Sequence, residues 1–547
     1  MTTYGIDLGT TYSCIAHVDK SGRPVIIKNA NGDETTPSVV FFESPDSVVV
    51  GKQAKDSARL YPGQVAELVK RDMGQSVHYS FLGQEHTPES ISALILRELA
   101  RAADANTGEQ VHDVVITVPA YFGLLEREAT RKAGEIAGLN VLDVLPEPVA
   151  AALDYQSLAD SSGVRHIFVY DLGGGTFDTT VIRIDGPDIQ VVCTDGDHHL
   201  GGADWDRKIT EFLLGSFIEQ NPDLGPGVDP GGSDEFLQEL ATKAEELKRA
   251  LSTRTTYRCP LRFEGATAQI DLTREQLEGM TSELLERTME ITGRTIATAK
   301  QKGVDRFDDV LLVGGMSLMP VIPQSLKDRF GLQARLQDPH LAVAKGAAVF
   351  ALMQMVKVSI QGEGLPGTDP RAAQQVADQL GISVQQVEEL ASKRVAAVVP
   401  RAFGIKVVDA DDPLFESDPD QARHYIAHLL TANTELPADT EPETFCTVAD
   451  NQSEVRLEVW EQAGSVASAE LEHNKHIGEG MLTGLPPARA GAPFEVVFGM
   501  TETGLLKVHA WESRSRNEVR FEIQIGGLDD AQVRKAASTV ARYQVSG

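Results

Sequence analysis

The 547 residues are 41% hydrophobic and 24% charged, the composition of an ordinary soluble globular chain with room for about two to four domains. A formal net charge of −30 sets the surface against nucleic acid and anionic membranes, so neither is expected as a partner. The longest apolar stretch, residues 347–356, is too short to span a bilayer, and no basic region precedes an apolar run at the start. Cys14, Cys193, Cys259 and Cys446 show neither CxxC nor zinc spacing, so a reducing, cytoplasmic setting is expected.

Residues 1–357 alternate strand-like and helix-like segments, the pattern of an α/β domain. A β-rich run, Thr3 to Ile6, leads into Ile6-Asp7-Leu8-Gly9-Thr10-Thr11-Tyr12-Ser13. Asp113 to Pro119 reads as a buried strand and Glu126 to Gly138 as the helix after it. A second β-rich run, His166 to Tyr170, leads into Tyr170-Asp171-Leu172-Gly173-Gly174-Gly175-Thr176-Phe177-Asp178. Thr242 to Ser252 is predicted helical, with Glu245, Lys248 and Arg249 on its polar face. Asp309 to Val313 is another buried strand, followed by Gly314-Gly315 and a helix start.

The two glycine turns carry the chemistry. Glycine lets a backbone approach phosphate oxygens, since no Cβ intervenes. Successive exposed N–H groups form an anion-binding nest. An aspartate in the same turn can hold water on a divalent cation bridging those phosphates. One such turn is usually an ordinary tight turn. Two matching ones suggest two similar lobes clamping one nucleotide.

After Val358 the texture changes. Gln361 to Pro370 reads as a Gly/Pro linker, and Arg371 to Arg394 as two short helices around Gly381-Ile382-Ser383. From Val395 to Leu528 the apolar period is two, as in Val455, Leu457 and Val459 or Val519, Phe521, Ile523 and Ile525. Thr503-Gly504 marks a hairpin turn between Phe494 to Phe498 and Leu506 to Ala510. A small β-sandwich is predicted, followed by one short helix in 529–547 capped by Asp529 or Asp530. The domains are thus expected at 1–357, 358–394 (linker with a helical hairpin), 395–528 and 529–547.

These turns resemble the seventy-kilodalton heat-shock chaperone family, together with 115–122 (VITVPAYF), 147–153 (EPVAAAL), His199-Leu200-Gly201-Gly202, 449–453 (ADNQS) and Asn474-Lys475. The resemblance implies an actin-like, two-lobed ATPase domain followed by a β-sandwich that holds extended apolar peptide segments. It implies Mg2+-dependent hydrolysis of ATP to ADP, with K+ as a further candidate cation. Lys70, Glu147, Asp171, Thr176 and Asp7 match the catalytic set, and Asp7 and Asp171 the metal shell, through water. Gly9, Thr10, Thr11, Tyr12, Gly173, Gly174, Gly175, Gly201 and Gly202 match the phosphate side. Glu245, Lys248, Arg249, Ser252, Gly314, Gly315 and Met316 match the adenosine side. Pro119 and Arg127 match a relay between the domains, and Val395 to Val399 the interdomain linker. Ile405, Val408, Phe445, Val448, Val455 and Leu457 match the peptide groove.

The chain departs from the family's pattern at several points. Leu318 replaces an arginine that stacks on the adenine, and His340-Leu341 replaces an Asp-Glu pair. Gly123 replaces an asparagine. Asp143 and Pro146 lie where the family meets J-domain co-chaperones. The 19 residues after Leu528 are expected to leave a short helix in place of a lid, in a divergent bacterial-type member. The expected activity is that of an ATP-dependent chaperone acting on unfolded polypeptides, with divergent J-domain and nucleotide-exchange partners. The alternative is a nucleotide-sensing scaffold with little turnover. A sugar kinase or filament-forming relative is a third class, but a kinase has no use for the sandwich.

Overall fold

The computed structural model describes residues 2–158, 163–225, 227–336, 338–362, 370–419, 421–464, 467–501, 504–512, 517–523 and 527–547. Two six-stranded sheets repeat one plan. In the first, Tyr4–Asp7, Tyr12–Val18 and Pro24–Ile27 form an antiparallel meander, and Asp113–Val118 and Asn140–Pro146 add in parallel beside Tyr4–Asp7. In the second, Val164–Leu172, Phe177–Asp185 and Asp188–Asp197 form the meander, and Asp309–Val313 and Ala334–Leu336 add in parallel beside Val164–Leu172. Asp7 and Asp171 therefore occupy equivalent places, each at the end of a first strand where the glycine turn begins.

The central strands are buried on both faces, which is why they read as continuous apolar runs. Asp113–Val118 and Asp309–Val313 are buried throughout. The helix after the former runs Leu124–Ile136, and the predicted 242–252 helix is part of Asp234–Thr253, capped by Ser233. After Gly314 the chain makes a 3-10 turn, Gly315–Leu318, before the helix Val321–Phe330.

Helix Ala342–Gly362 corrects two expectations. By length and composition it is long enough and apolar enough to cross a membrane, although the uninterrupted apolar stretch within it is short. Most of it is buried, with Val343, Ala347 and Phe350 in a core shared with Val149 and Leu311. It also runs unbroken past residue 357, where the first domain was expected to end, and through Gln361 and Gly362 of the expected linker. Val356 and Ile360 bury against Ala373, Val376, Ala377 and Val387, and this apolar contact sustains the extra turn. Those partners belong to Pro370–Leu380 and Val384–Ser392, two helices hinged at Gly381 with Ser383 as cap. The remainder of that linker, 363–369, lies outside the described residues.

Arg394–Ala396 then adds a parallel strand to the edge of the second sheet, beside Asp188–Gln190. Two antiparallel sheets follow. One is ordered His424–Leu430, Phe403–Val408, Glu454–Gln462, Asn474–Thr483. The other is ordered Ala438–Asp439, Pro493–Met500, Leu506–Trp511, Glu518–Glu522, with Glu443–Cys446 also paired to Pro493–Met500. Phe403, Leu457 and Val459 from the first meet Val496, Phe498, Val508 and Ala510 from the second in one core. Alternate residues point inward, as a two-sheet packing requires. Gly504 has φ +83° between the paired strands, while Thr503 and Ile525 lie outside the described residues.

The C-terminal segment departs from the single helix expected. Asp529 caps helix Asp530–Arg542, but Gln544–Ser546 then forms a parallel strand beside Ser47–Val49. Tyr543 and Val540 bury among Phe42, Phe81 and the Pro88–Thr107 helix, and that burial carries the chain onto the sheet edge.

Candidate nucleotide site

The first and second glycine turns meet face to face. A Cβ on Gly174 would lie 2.2 Å from Thr11 Oγ1, and one on Gly175 2.7 Å from Thr10 Oγ1. Gly201 stacks on the same turn, where its Cβ would fall 2.5 Å from the Gly175 nitrogen. Gly202 and Ala203 donate their N–H groups to the carbonyls of Gly173 and Gly174, at 3.0 and 2.8 Å. Only glycine lets the Thr10 and Thr11 side chains and the Gly201 backbone pack this closely on the second turn. Arg71 ties the assembly together, donating to the Gly175 carbonyl at 3.0 Å and to Asp204 at 2.6 Å.

Beside these turns lies a buried ionic cluster. Lys70 Nζ donates to Glu147 Oε1 at 2.7 Å, and both side chains are largely closed to solvent. Burial, followed by the charge of Glu147, pushes the Asp7 carboxyl up to about 7. The same two causes push Asp178 up to about 8 and Asp171 well above its ordinary value, where Asp178 and Asp7 add to the effect. Lys70 opposes each of these shifts. Several carboxyls facing one ammonium make an anionic pocket that a divalent cation would neutralise. Thr176 is buried on the same turn, and Thr117 Oγ1 donates to Asp7 at 3.3 Å.

Asp178 was absent from the candidate residues. It is the last residue of the second turn motif, so the signal was present. Its role in the cluster became visible only when strand pairing set it opposite Asp171.

On helix Asp234–Thr253, Glu245 gathers three cation or hydroxyl partners. Tyr12 Oη donates to it at 3.0 Å, Arg249 pairs with it at 2.7 Å, and Lys55 forms a short ion pair with it. Burial opposes ionisation of Glu245, but Lys55 and Arg249 hold its carboxyl below the ordinary range. Arg249 also lies 4.8 Å over the Tyr12 ring. Lys248 points elsewhere, donating to the Gly202 carbonyl at 2.9 Å and to Asp206 at 2.7 Å. Ser252 bonds back to its own helix at the Lys248 carbonyl. Gly314 has φ +80° and packs on the Leu172 carbonyl, Gly315 faces His340, and Met316 Sδ faces Gly202. Leu318 is 41% exposed.

A match to the Hsp70 protein family covers residues 3–85, 75–361 and 421–545. The chain belongs to the Hsp70 family. It is 36% identical over 539 residues to the chaperone protein DnaK of Halobacterium salinarum, in each of two strains, R1 and NRC-1, covering 97% of this chain and 76% of each relative. It is thus a member of a chaperone, heat-shock and ATP-binding family. The unmatched interval, 362–420, contains the two-helix insertion and the acidic loop after Val408.

In this Hsp70 protein the sheets after Arg394 are docked on the nucleotide-side portion. The Tyr121 N–H donates to Asp178 Oδ1 at 2.9 Å, and the Tyr121 carbonyl accepts from Arg401 Nε at 3.1 Å. Leu124 N–H donates to Glu461 Oε1 at 3.2 Å, and Lys475 donates to the Gly74 carbonyl at 2.9 Å. Tyr121 Oη also bonds the Gly464 carbonyl. Arg127 is half-buried one turn away, bonding the Phe122 and Ala120 carbonyls, and Phe122 N–H bonds the Pro119 carbonyl. Of the groove candidates, Ile405 and Leu457 are buried in the sandwich core and Phe445 and Val455 pack half-buried against it. Val408 and Val448 are half-buried outside that cluster.

Proposed function

We propose that this Hsp70 member hydrolyses ATP in a two-lobed, actin-like domain and couples the nucleotide state to capture of extended apolar polypeptide segments by its β-sandwich. One observation carries the reading: the two glycine turns meet beside the buried Lys70–Glu147 pair and the three aspartates. The repeated sheet plan supports the two-lobed division, with Gly9 to Tyr12 and Gly173 to Gly175 as the facing phosphate grips.

In this mechanism the turn N–H groups and the hydroxyls of Thr10, Thr11 and Thr176 hold the phosphates. Lys70 spreads positive charge toward the γ-phosphate, where charge builds in the transition state. Glu147 fixes the ammonium and orients the attacking water. Asp178, which strand pairing sets opposite Asp171, would serve as proton acceptor for the attacking water once the site's positive charge holds it ionised. Mg2+, when bound through water to Asp7 and Asp171, would neutralise phosphate charge. The donor set fits it, because the carboxylates sit together with one ammonium among them. K+ is retained as a second cation of the reading. Glu245, Lys248, Arg249, Ser252, Gly314, Gly315 and Met316 would frame the adenosine.

Ile405, Val408, Phe445, Val448, Val455 and Leu457 are the proposed groove positions, with unfolded polypeptides as clients. J-domain and nucleotide-exchange co-chaperones are the proposed regulators, in a cytoplasmic setting suited to four unpaired cysteines. The deciding experiment is single-turnover ATP hydrolysis by wild type and Lys70→Ala, with and without an apolar heptapeptide. Hydrolysis that the peptide accelerates and Lys70→Ala abolishes is expected. A bound nucleotide that is neither cleaved nor sensed by the peptide would sink the reading.

A second reading, a nucleotide-sensing scaffold with little turnover, draws on the adenosine side. Leu318 offers no guanidinium there, and Arg249 is engaged by Glu245 and Tyr12.

A further inference from the structure

Two hairpin turns hold equivalent places in the repeated sheet plan. In each meander the first turn carries the glycines. The second turn, residues 19–23 in one sheet and 186–187 in the other, lies at the far end of the same strands. The insertion of helices Pro370–Leu380 and Val384–Ser392 reaches both far turns. On the first sheet, Gln386 Nε2 donates to the Ser21 carbonyl at 3.2 Å, and a Cβ at Gly22 would lie 1.8 Å from that nitrogen. On the second, the buried Lys393 Nζ donates to Gln156 Oε1 at 3.0 Å, and Gln156 Nε2 donates in turn to the Gly186 carbonyl at 2.8 Å. Leu390 packs against the core that holds Ile184, Ile189 and Val191 of the second sheet. Helix Ala342–Gly362 runs between the two ends. Ala344 and Ala348 lie with Cys14 and Ala16 near the first glycine turn, while Val356 and Ile360 pack with Val376, Ala377 and Val387 of the insertion. Near its start this helix crosses Glu147–Leu158 so closely that a Cβ on Gly346 would fall 1.7 Å from the Ala150 carbonyl.

We propose that the insertion is a clasp between the two six-stranded sheets. By tying their far turns together it fixes the angle between them, and so governs how readily the facing glycine turns part. Two bodies that touch at one close crossing can swing about it. A second tie, away from the crossing, converts that swing into sliding of packed helices. Close packing at the tie resists gradual yielding. The clasp lies within the interval 362–420 that the Hsp70 match leaves out. The inference concerns the two sheets alone. It requires neither ATP turnover nor any particular seat of the β-sandwich, and it stands or falls separately from the proposed activity.

The test uses the full chain with Cys446→Ser, which removes the exposed cysteine, and spin labels placed for distance measurement by pulsed electron resonance. One pair, Gln53→Cys and Thr256→Cys, uses exposed sites on the first-sheet and second-sheet sides. A control pair, Gln53→Cys and Asn106→Cys, lies wholly beside the first sheet. Two variants open the clasp. Gln386→Ala with Lys393→Met removes the bonds to both far turns and leaves the apolar packing in place. Val387→Asp puts a carboxylate among Val356, Ile360 and Val376 and should release the helices outright. In each variant the cross-sheet distance should shift by about 2 Å or more, the scale of sliding between packed helices, while the control distance holds. Unchanged cross-sheet distances would overturn the proposal. So would a shift in Val387→Asp alone, which would place the effect in packing on one helix, or a control distance that moves with the cross-sheet one, which would mean general loosening. Should Val387→Asp fail to fold, the double variant decides.

Discussion

Glu461 reaches into a space that only a glycine at position 123 leaves open. A Cβ there would lie 2.4 Å from Glu461 Oε1, while the next residue, Leu124, donates its N–H to that same oxygen. Gly123 is also the residue before helix Leu124–Ile136, so an unpaired helix N–H group is satisfied from across the interface.

Gly123→Ala should therefore weaken docking without touching the phosphate turns. Overpacking of this kind costs about 1–3 kcal/mol. Scattering should show an expanded molecule, and the double variant with Glu461→Ala should recover compactness by removing the clashing carboxylate. A compact single variant would show that the interface yields at no cost.

Lys70→Ala should destabilise the fold as well as lower turnover. Removing one partner of a buried ion pair leaves the other uncompensated, at a cost of about 3–5 kcal/mol. Here the stranded group is Glu147, beside Asp7, Asp171 and Asp178. Urea unfolding without nucleotide should show the loss, and adding Glu147→Gln should recover part of it. Turnover should fall by ~10²-fold or more in both variants.

The docking interface should carry two opposed pH responses. Glu461 is pushed by burial up to about 7 from an ordinary 4.5, against the pull of Arg401, with Glu126 adding to the rise and Lys475 opposing it. His198 is pushed by burial down to about 4 from 6.5, with Arg401 and His199 adding and Glu126 and Asp197 opposing. A raised carboxyl binds its proton more tightly when docked, so its contribution strengthens as pH falls from about 7 toward 4.5. A depressed histidine is favoured neutral when docked, so its contribution is lost as pH falls from 6.5 toward 4. His198→Asn should then dock more tightly on acidification and Glu461→Gln less tightly, with wild type between them. Scattering across this range reads all three. Parallel profiles would refute the assignment.

Leu318→Arg should tighten ATP binding. An exposed cation–π contact contributes ~0.5–1 kcal/mol, or about two- to fivefold in affinity. Calorimetry on wild type and variant measures it, and an unchanged affinity would place the base away from residue 318.

Much of this protein was legible in one dimension. The glycine turns, the buried strands at 113–118 and 309–313, the hinge at Gly381 and the period-two region each depend on neighbours within a few residues, and local patterns report local causes. The Lys70–Glu147 contact was not legible by spacing, because it joins residues brought together by sheet pairing. Asp178 stood inside a recognised motif, yet its contribution comes from the carboxyls that surround it. The C-terminal strand was missed for a related reason. Gln544–Ser546 is too short and too polar to announce itself, and what makes it a strand is the open edge at Ser47–Val49 together with the pocket that buries Tyr543. Sequence determined which segments could become strands, helices and phosphate-binding turns. Tertiary structure decided which charges share a low-dielectric site and which sheet edge each end of the sandwich joins, because burial and pairing are properties of neighbours that the chain places hundreds of residues apart.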